Sequence, residues 1–151
     1  MQKKRTKIKT KFISHLMKSG EKKTSEKILL KSFKKLQKHS SKKSEKILKL
    51  ALIYSTPIFK LHKITNKKLK KRTKKLREIP AFISNQKSRI SLAIKLILKN
   101  IKKKEKLKFY EKLEKEILLN TKNKSFGIEI KNELQKNVLT KKHYFLYYRW
   151  Y

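Results

Sequence analysis

Apolar residues recur every three or four positions in six stretches of the chain, the spacing that lines one face of an α-helix. The most regular stretch holds Ile90, Ala93, Ile94, Ile97, Leu98 and Ile101. The other five stripes lie within residues 12–17, 29–36, 47–54, 107–118 and 130–138. The pattern predicts a mainly α fold, a bundle of about six helices.

Single residues at the ends of these stripes predict where helices begin and end. Gly20 marks a stop for the first helix, and Thr24 or Ser25 can cap the second. Ser41 is the predicted start of the third helix. Pro57 is expected to end that helix, because proline has no backbone N–H to donate.

The helical spacing disappears between the third and fourth stripes. Residues 57–64 and 76–83 have the composition of strands, and the 12 residues between Thr65 and Leu76 contain six lysines and one arginine. We predict a protruding β-hairpin arm at about residues 57–84 with a highly charged tip. A disordered basic loop is the alternative interpretation of the tip.

The first eleven residues are basic and contain no acidic residue. They include Lys3, Lys4, Arg5, Lys7, Lys9 and Lys11 and lack the apolar core of a secretory signal. The length of 151 residues suits one domain. We therefore expect a basic N-terminal arm at residues 1–11 and a single helical domain, with the hairpin arm, at residues 12–151.

Charge narrows the choice of partner. Lysine and arginine total 46 against 10 acidic residues, a formal net charge of +36. A compact body with this charge repels itself, and a polyanion neutralises such a field. Nucleic acid is therefore the leading partner and an anionic membrane surface the second. No apolar run approaches the roughly 18–20 residues of a membrane span.

Candidate catalytic chemistry is sparse. The chain has no cysteine, and its four histidines have neither metal-ligand spacing nor a nearby aspartate. Most acidic residues stand beside lysines, as Glu111, Glu114 and Glu116 do, which favours solvated ion pairs over general acid–base catalysis. We expect no catalytic residue, metal site or cofactor, so the chain is not predicted to be an enzyme.

The type of cation favours RNA. Only five of the 46 cations are arginine. Lysines contact phosphates without reading base edges, which suits a folded RNA better than sequence-specific reading of DNA. A basic nucleoid-type DNA-binding protein is the alternative function, and a membrane-surface protein with basic amphipathic helices is a third. Drift in an AT-rich genome also accounts for part of the lysine excess.

The end of the chain is rich in aromatic residues: Tyr144, Phe145, Tyr147, Tyr148, Trp150 and Tyr151. Aromatic rings interleaved with cations can stack on bases or sugars. An aromatic seal over the helical core is the alternative interpretation.

Five short motifs follow one another in a specific order. They are residues 11–26 (KFISHLMKSGEKKTSE), Ala51-Leu52 followed by Pro57, Ile79-Pro80, residues 88–93 (SRISLA) and residues 145–150 (FLYYRW). In this order the chain resembles the seventh protein of the small ribosomal subunit, a family of bacterial, plastid and mitochondrial ribosomes. The first motif is similar to that family's first helix, basic turn and second-helix start, and the last to its closing Phe-Ala-His-Tyr-Arg-Trp.

This resemblance implies a structural constituent of the small ribosomal subunit. The family binds the 3′ major domain of small-subunit rRNA and nucleates assembly of the head, and its arm lies near the mRNA exit and the E-site tRNA. The implied partners are small-subunit rRNA, neighbouring head proteins and, transiently, mRNA and E-site tRNA. No membrane partner and no homo-oligomer are expected.

The resemblance also implies two sets of RNA-facing residues. The predicted rRNA contacts are Lys3, Lys4, Arg5, Lys7, Lys9, Lys11, Lys22, Lys23, Lys87, Arg89, Lys131, Lys141, Lys142, Arg149 and Trp150. The predicted arm residues near mRNA and tRNA are Lys67, Lys68, Lys70, Lys71, Arg72, Lys74, Lys75 and Arg77.

The chain departs from the family at both the arm and the ends. The family's glycine pair in the arm is missing, the N-terminal extension of bacterial members is shortened, and one residue follows Arg149-Trp150, as in mitochondrial members. Together with the lysine-rich composition, these features predict a mitochondrial matrix ribosome and an organelle-encoded chain. A plastid ribosome is the alternative.

Overall fold

The computed structural model describes residues 3–64, 77–103 and 107–143, with side chains described for 8–62, 78–101 and 107–143. The elements are α1 (Lys3–Leu16), α2 (Lys22–His39), α3 (Ser44–Ser55), β1 (Phe59–Ile64), β2 (Arg77–Phe82), α4 (Gln86–Lys103), α5 (Phe109–Thr121) and α6 (Phe126–Thr140). The prediction of a mainly α fold with a β-hairpin is confirmed.

One hydrophobic core joins the first five helices. Helix α4 contributes the stripe that the sequence marked most clearly, and Ala93, Ile94 and Ile97 are fully buried there. Leu113 and Ile117 of α5 are also fully buried in this core. Burying one large aliphatic side chain is worth about 1.5–3 kcal/mol, so these buried residues contribute strongly to stability.

Helix starts are where the sequence predictions were wrong. Helix α1 begins at Lys3, so the residues expected as an arm before Phe12 are helical from Lys3 onward. Helix α2 begins at Lys22 and α3 at Ser44, not at Thr24, Ser25 or Ser41. The Thr24 and Ser25 hydroxyls donate to the Glu21 carbonyl instead. These hydroxyls serve the first turn of a helix that has already begun.

Helix ends agree better with prediction. Helix α1 ends at Leu16, and the chain turns through Ser19 and Gly20, whose φ angles are 49° and 78°. Glycine adopts this left-handed conformation without steric cost. Helix α3 ends at Ser55, two residues before Pro57, as expected from the missing proline N–H.

The hairpin strands pair antiparallel from Phe59 opposite Phe82 to Ile64 opposite Arg77. The Phe59 and Phe82 rings meet edge to face, with centroids 5.9 Å apart. Because side chains alternate along a strand, Lys60 and His62 share one face of the ribbon. The predicted tip, residues 65–76, lies outside the described residues.

Helix α6 packs against the base of the hairpin. The Ser125 hydroxyl caps this helix by accepting from the Gly127 N–H at 3.1 Å. At its other end Lys141 pairs with Glu78 of β2, with Nζ and Oε2 2.8 Å apart. Helix α6 and the Lys141–Glu78 ion pair therefore hold the hairpin ribbon to the helical body.

Acidic residues tie elements together, and the prediction that they form solvated pairs on a polar face was wrong for two of them. Glu114 is 5% exposed and Glu116 is 1% exposed. The prediction of solvated ion pairs failed because the neighbouring lysines point to solvent while these two carboxylates turn inward. Glu111 does form a partly exposed pair, but with Lys35 of another helix, at 2.8 Å.

A buried polar network surrounds the Glu116 carboxylate. Its Oε1 accepts from Asn100 Nδ2 at 2.9 Å, from Asn120 Nδ2 at 3.3 Å and from the Ser125 hydroxyl. The Ser55 hydroxyl donates to Asn120 Oδ1 at 2.6 Å. The network therefore joins α3, α4, α5 and the cap of α6 at one point.

Candidate RNA-binding surface

A cleft separates the base of the hairpin from the first turns of α4. We call it the hairpin cleft; its volume is about 370 Å³, and its polar lining includes Lys60, His62, Asn85, Ser88, Ser91 and Lys95. Lys60 and His62 face it because they share one side of β1. Ser88, Ser91 and Lys95 line it because spacings of three and four place them on one face of α4.

The side chains of the cleft suit a phosphate backbone. Lys60 and Lys95 are exposed lysines from two different elements, and the Ser88 hydroxyl is exposed between them. The Asn85 side chain caps α4 by accepting from the Lys87 N–H at 2.9 Å, which places the positive end of the helix dipole at the same cleft. Two cations, hydroxyl donors and a helix N-terminus are the groups that bind phosphate oxygens.

Helix α1 extends this surface beyond the cleft. The Lys11 ammonium donates to the Lys87 carbonyl, which brings two predicted rRNA contacts together. His15 Nε2 lies 2.6 Å from the Ser91 hydroxyl. Burial, reinforced by the nearby charges of Lys95 and Lys11, lowers the pKa of His15. The imidazole is therefore neutral near pH 7, and the lysines carry the positive charge.

Arg89, a predicted rRNA contact, is engaged inside the chain. Its Nε donates to the Ile83 carbonyl at 2.5 Å, and its guanidinium lies 4.9 Å from the centre of the Phe82 ring. These contacts hold the end of β2 against the first turns of α4. Arg89 therefore shapes the hairpin cleft, and a direct contact with rRNA stays a prediction.

Three other predicted rRNA contacts have partners in a different element of the chain. Lys9 pairs with Glu45 at 2.5 Å, and Lys141 pairs with Glu78. The Lys131 ammonium donates to the Tyr54 carbonyl at 2.5 Å, and burial lowers the pKa of Lys131. These lysines join α1 to α3, α6 to the hairpin, and α6 to α3.

The remaining predicted contacts divide into two groups. Exposed lysines are Lys22, Lys23, Lys87 and Lys142. Those whose side chains lie outside the described residues are Lys3, Lys4, Arg5, Lys7, Arg149 and Trp150, with the arm set Lys67, Lys68, Lys70, Lys71, Arg72, Lys74, Lys75 and Arg77. Of the predicted contacts that the structure describes, Lys11 and Lys87 meet at the start of α4. Arg89 packs on Phe82, and none of these three predicted contacts lines the hairpin cleft itself.

The sequence interpretation missed Lys60 and Lys95, the two lysines of the cleft. A signal for each was present. Lys60 alternates with apolar residues in a strand, and Lys95 lies four residues after Ser91 on the face of α4 that its apolar stripe leaves free. Neither signal shows that the two faces meet, since that depends on how the hairpin folds back on α4.

Comparison with known proteins decides the family. The sequence profile described as Ribosomal protein S7p/S5e matches residues 1–142 of the chain. The chain belongs to this family. The resemblance drawn from short motifs is therefore confirmed over most of the length. The chain matches no curated protein sequence in a direct comparison.

Membership of the Ribosomal protein S7p/S5e family states the general role. The chain is a structural protein of the small ribosomal subunit that binds rRNA, and this is not a family of enzymes. In the described part of the chain, no cluster of three side chains suited to a metal ion occurs. Among the same residues, no helix is both long and apolar enough to cross a membrane.

Proposed function

We propose that this S7p/S5e-family protein binds the 3′ major domain of small-subunit rRNA and nucleates assembly of the subunit head. The hairpin cleft is the observation that carries the proposal. Lys60 and Lys95 come from a strand and a helix and line one cavity. A surface of this kind binds a folded backbone by its shape, because phosphates presented at one spacing meet both lysines together.

The surface continues from the cleft along α1 and the start of α4. Lys11 and Lys87 meet there, and Lys22 and Lys23 are exposed at the start of α2. Extended phosphate contact by several lysines gives an affinity that falls steeply with salt. The predicted rRNA contacts are proposed as members of this surface, with Lys9, Lys131, Lys141 and Arg89 acting partly by holding its elements in place.

The hairpin gives the protein a second proposed role. The arm is held at its base by the Arg89 contacts and by the Lys141–Glu78 pair. We propose that the hairpin, supported in this way, carries the predicted tip residues at its far end. We place that tip near the mRNA exit and the E-site tRNA, with neighbouring head proteins as further partners.

The lysine-rich composition supports a mitochondrial ribosome as the proposed location, with a plastid ribosome as the alternative. The basic segment at residues 1–11, the single domain at residues 12–151 and a monomeric state complete the proposal. Cell fractionation separates the two locations, because the protein would sediment with small subunits of one organelle only.

Binding to rRNA fragments tests the proposed function. The full chain is titrated at about 0.15 M salt into a transcript of the 3′ major domain, a transcript of equal length from elsewhere in the same rRNA, and duplex DNA with the same number of phosphates. We expect the 3′ major domain to bind at least roughly 100-fold more tightly, since specific sites commonly exceed non-specific ones by ~10³-fold or more. Equal affinities for all three would contradict the proposal and favour a non-specific nucleoid-type protein.

A further inference from the structure

A second groove lies between α3 and α5 and shares no lining residue with the hairpin cleft. We call it the α3–α5 groove; its volume is about 720 Å³, and it is bounded at one end by the turn between α2 and α3. This volume is in the ~300–1,000 Å³ range of sites that hold a ligand or a few side chains. The rRNA-binding surface described above does not use it.

The floor of the α3–α5 groove is aliphatic. Leu50 of α3 and Leu118 of α5 are half-buried, and Ile47 beneath them is 4% exposed. Tyr54 stands at one edge and is 38% exposed. Two packed helices thus leave an apolar strip in contact with water, which is the arrangement that accepts the apolar face of another helix.

The rim of the groove is positively charged. Lys42, Lys115 and Lys122 are exposed there. Among the residues that the structure describes, none of these three ammonium groups lies within 4 Å of a carboxylate. The groove therefore has positive charge to offer a partner around an apolar centre.

The floor favours a protein partner over RNA. Single-stranded RNA is held by aromatic or arginine stacking platforms, and this floor is formed mainly by leucine and isoleucine. The Glu114 carboxylate, 3.4 Å from His39 Nε2, also lies in the wall and opposes the close approach of phosphates. A peptide can keep its own carboxylates at the lysine rim while only apolar side chains reach the floor.

We propose that the α3–α5 groove docks an amphipathic helical segment of another protein, with apolar side chains on the floor and acidic residues against the lysine rim. The inference does not rest on the rRNA contact, because the two surfaces share no residue. It assigns to this face a protein neighbour in the assembled particle. The chemistry of the partner, an apolar stripe flanked by glutamates or aspartates, follows from the floor and the rim.

The probe is a labelled 16-residue helical peptide with leucines at positions i, i+3, i+4 and i+7 and glutamates on both flanks. Its binding to the full chain is measured by fluorescence anisotropy at about 0.15 M salt, beside a peptide with glutamine in place of glutamate. Two matched pairs of variants separate the groove from general charge. Leu50→Ser is compared with Ile53→Ser, since Ile53 is on the same helix, 64% exposed and outside the groove.

The second pair tests the rim. The double reversal Lys115→Glu/Lys122→Glu is compared with Lys46→Glu/Lys49→Glu, which changes the same charge on exposed positions outside the groove. Circular dichroism checks that each variant keeps its helices. We expect the rim reversal to weaken binding of the glutamate peptide by about tenfold more than the control reversal, and to abolish the preference for glutamate over glutamine.

Leu50→Ser should weaken both peptides by about fivefold, and Ile53→Ser by less than about twofold. Three results would each overturn the proposal. The first is that neither peptide binds, and the second is that the groove variants and the control variants lose affinity equally. The third is that binding of a labelled 12-nucleotide oligouridylate depends on Leu50 more strongly than binding of the peptides does. The last result would assign the groove to RNA. None of them would alter the expected selectivity for the 3′ major domain.

Discussion

Asn100 of α4 donates its side-chain N–H to the carboxylate of Glu116 on α5 at 2.9 Å, and both side chains are buried. The same carboxyl oxygen accepts from Ser125, whose hydroxyl caps α6. One acidic residue thus aligns three helices, and α6 in turn holds the hairpin base.

Removal of this carboxylate should be costly. In Glu116→Ala the Asn100 and Ser125 donors lose a buried acceptor, whereas Asn120 keeps its bond to the backbone carbonyl of residue 116. Each unsatisfied buried group costs about 1–3 kcal/mol. We expect the free energy of unfolding to fall by about 3 kcal/mol in urea titrations at 0.5 M salt. The control Glu133→Ala, exposed on α6, should change it by less than about 0.5 kcal/mol. Equal effects would remove Glu116 from its structural role.

The contrast between α4 and Glu116 shows what sequence can and cannot predict here. The stripe from Ile90 to Ile101 predicted a buried helix, because periodicity is a property of the segment itself. The inward turn of Glu116 depends on Asn100 of α4 and on Ser125 before α6, two residues outside its own helix. In the sequence Glu116 stands beside Lys115, and for that reason it was predicted to face solvent.

The candidate RNA-binding surface likewise has features that the sequence predicts and features that depend on tertiary contacts. The strands of the hairpin were predicted nearly to the residue, since proline, alternation and the loss of helical spacing are all local. Lys60 and Lys95 line one cleft because the hairpin folds back on α4, which is a tertiary relationship. Arg89 was recognised in its motif, but its packing on Phe82 could be seen only when β2 lay against α4.

The helical body should be required for incorporation into the small subunit, and the tip of the hairpin arm for the handling of mRNA or tRNA. Ile94 is fully buried, so Ile94→Asp places an unpaired charge in the core and should abolish incorporation into the small subunit. Replacement of residues 66–75 by a two-residue Asn-Gly turn removes seven cations and none of the core residues. That variant should still assemble, and reading-frame or initiation assays should show altered mRNA or tRNA handling.

Quantitative mass spectrometry of purified subunits measures incorporation of both variants. The division between body and arm would be wrong if the trimmed arm were excluded from subunits as completely as Ile94→Asp. In that case the tip would be an rRNA anchor.

His15 should make stability depend on pH. Its pKa is lowered in the folded chain from about 6.5, through burial and then Lys95 and Lys11. The unfolded chain therefore binds the His15 proton more readily than the folded chain does. The contribution of neutral His15 to the free energy of unfolding is fully present above about pH 6.5 and is lost as the pH falls through the lowered pKa of the folded chain. Thermal melts from pH 7.5 to 5.5 should show a smaller decline for His15→Gln than for the unaltered chain; identical slopes would contradict this origin.

Salt should act in opposite directions on folding and on binding. The net charge of +36 opposes the compact state of the free chain, so added salt should raise its melting temperature. The same salt should weaken rRNA binding, with a log–log slope of about −0.9 for each phosphate contact in the duplex limit. Calorimetry and filter binding from about 0.05 to 0.5 M salt measure the two trends. A binding slope near zero would mean that the lysines reflect composition and not contact.

The hairpin cleft is proposed to bind rRNA, and reversing the charge of its two lysines tests that binding. Lys60→Glu/Lys95→Glu is compared with Lys46→Glu/Lys49→Glu, which changes the net charge equally at exposed positions away from the cleft. The affinity for the 3′ major domain transcript is measured against salt for both. We expect the cleft variant to bind at least about 30-fold more weakly than the control. Its slope of log affinity against log salt should be shallower by about 1.8, the value for two phosphate contacts. Equal affinities and equal slopes for the two variants would contradict it.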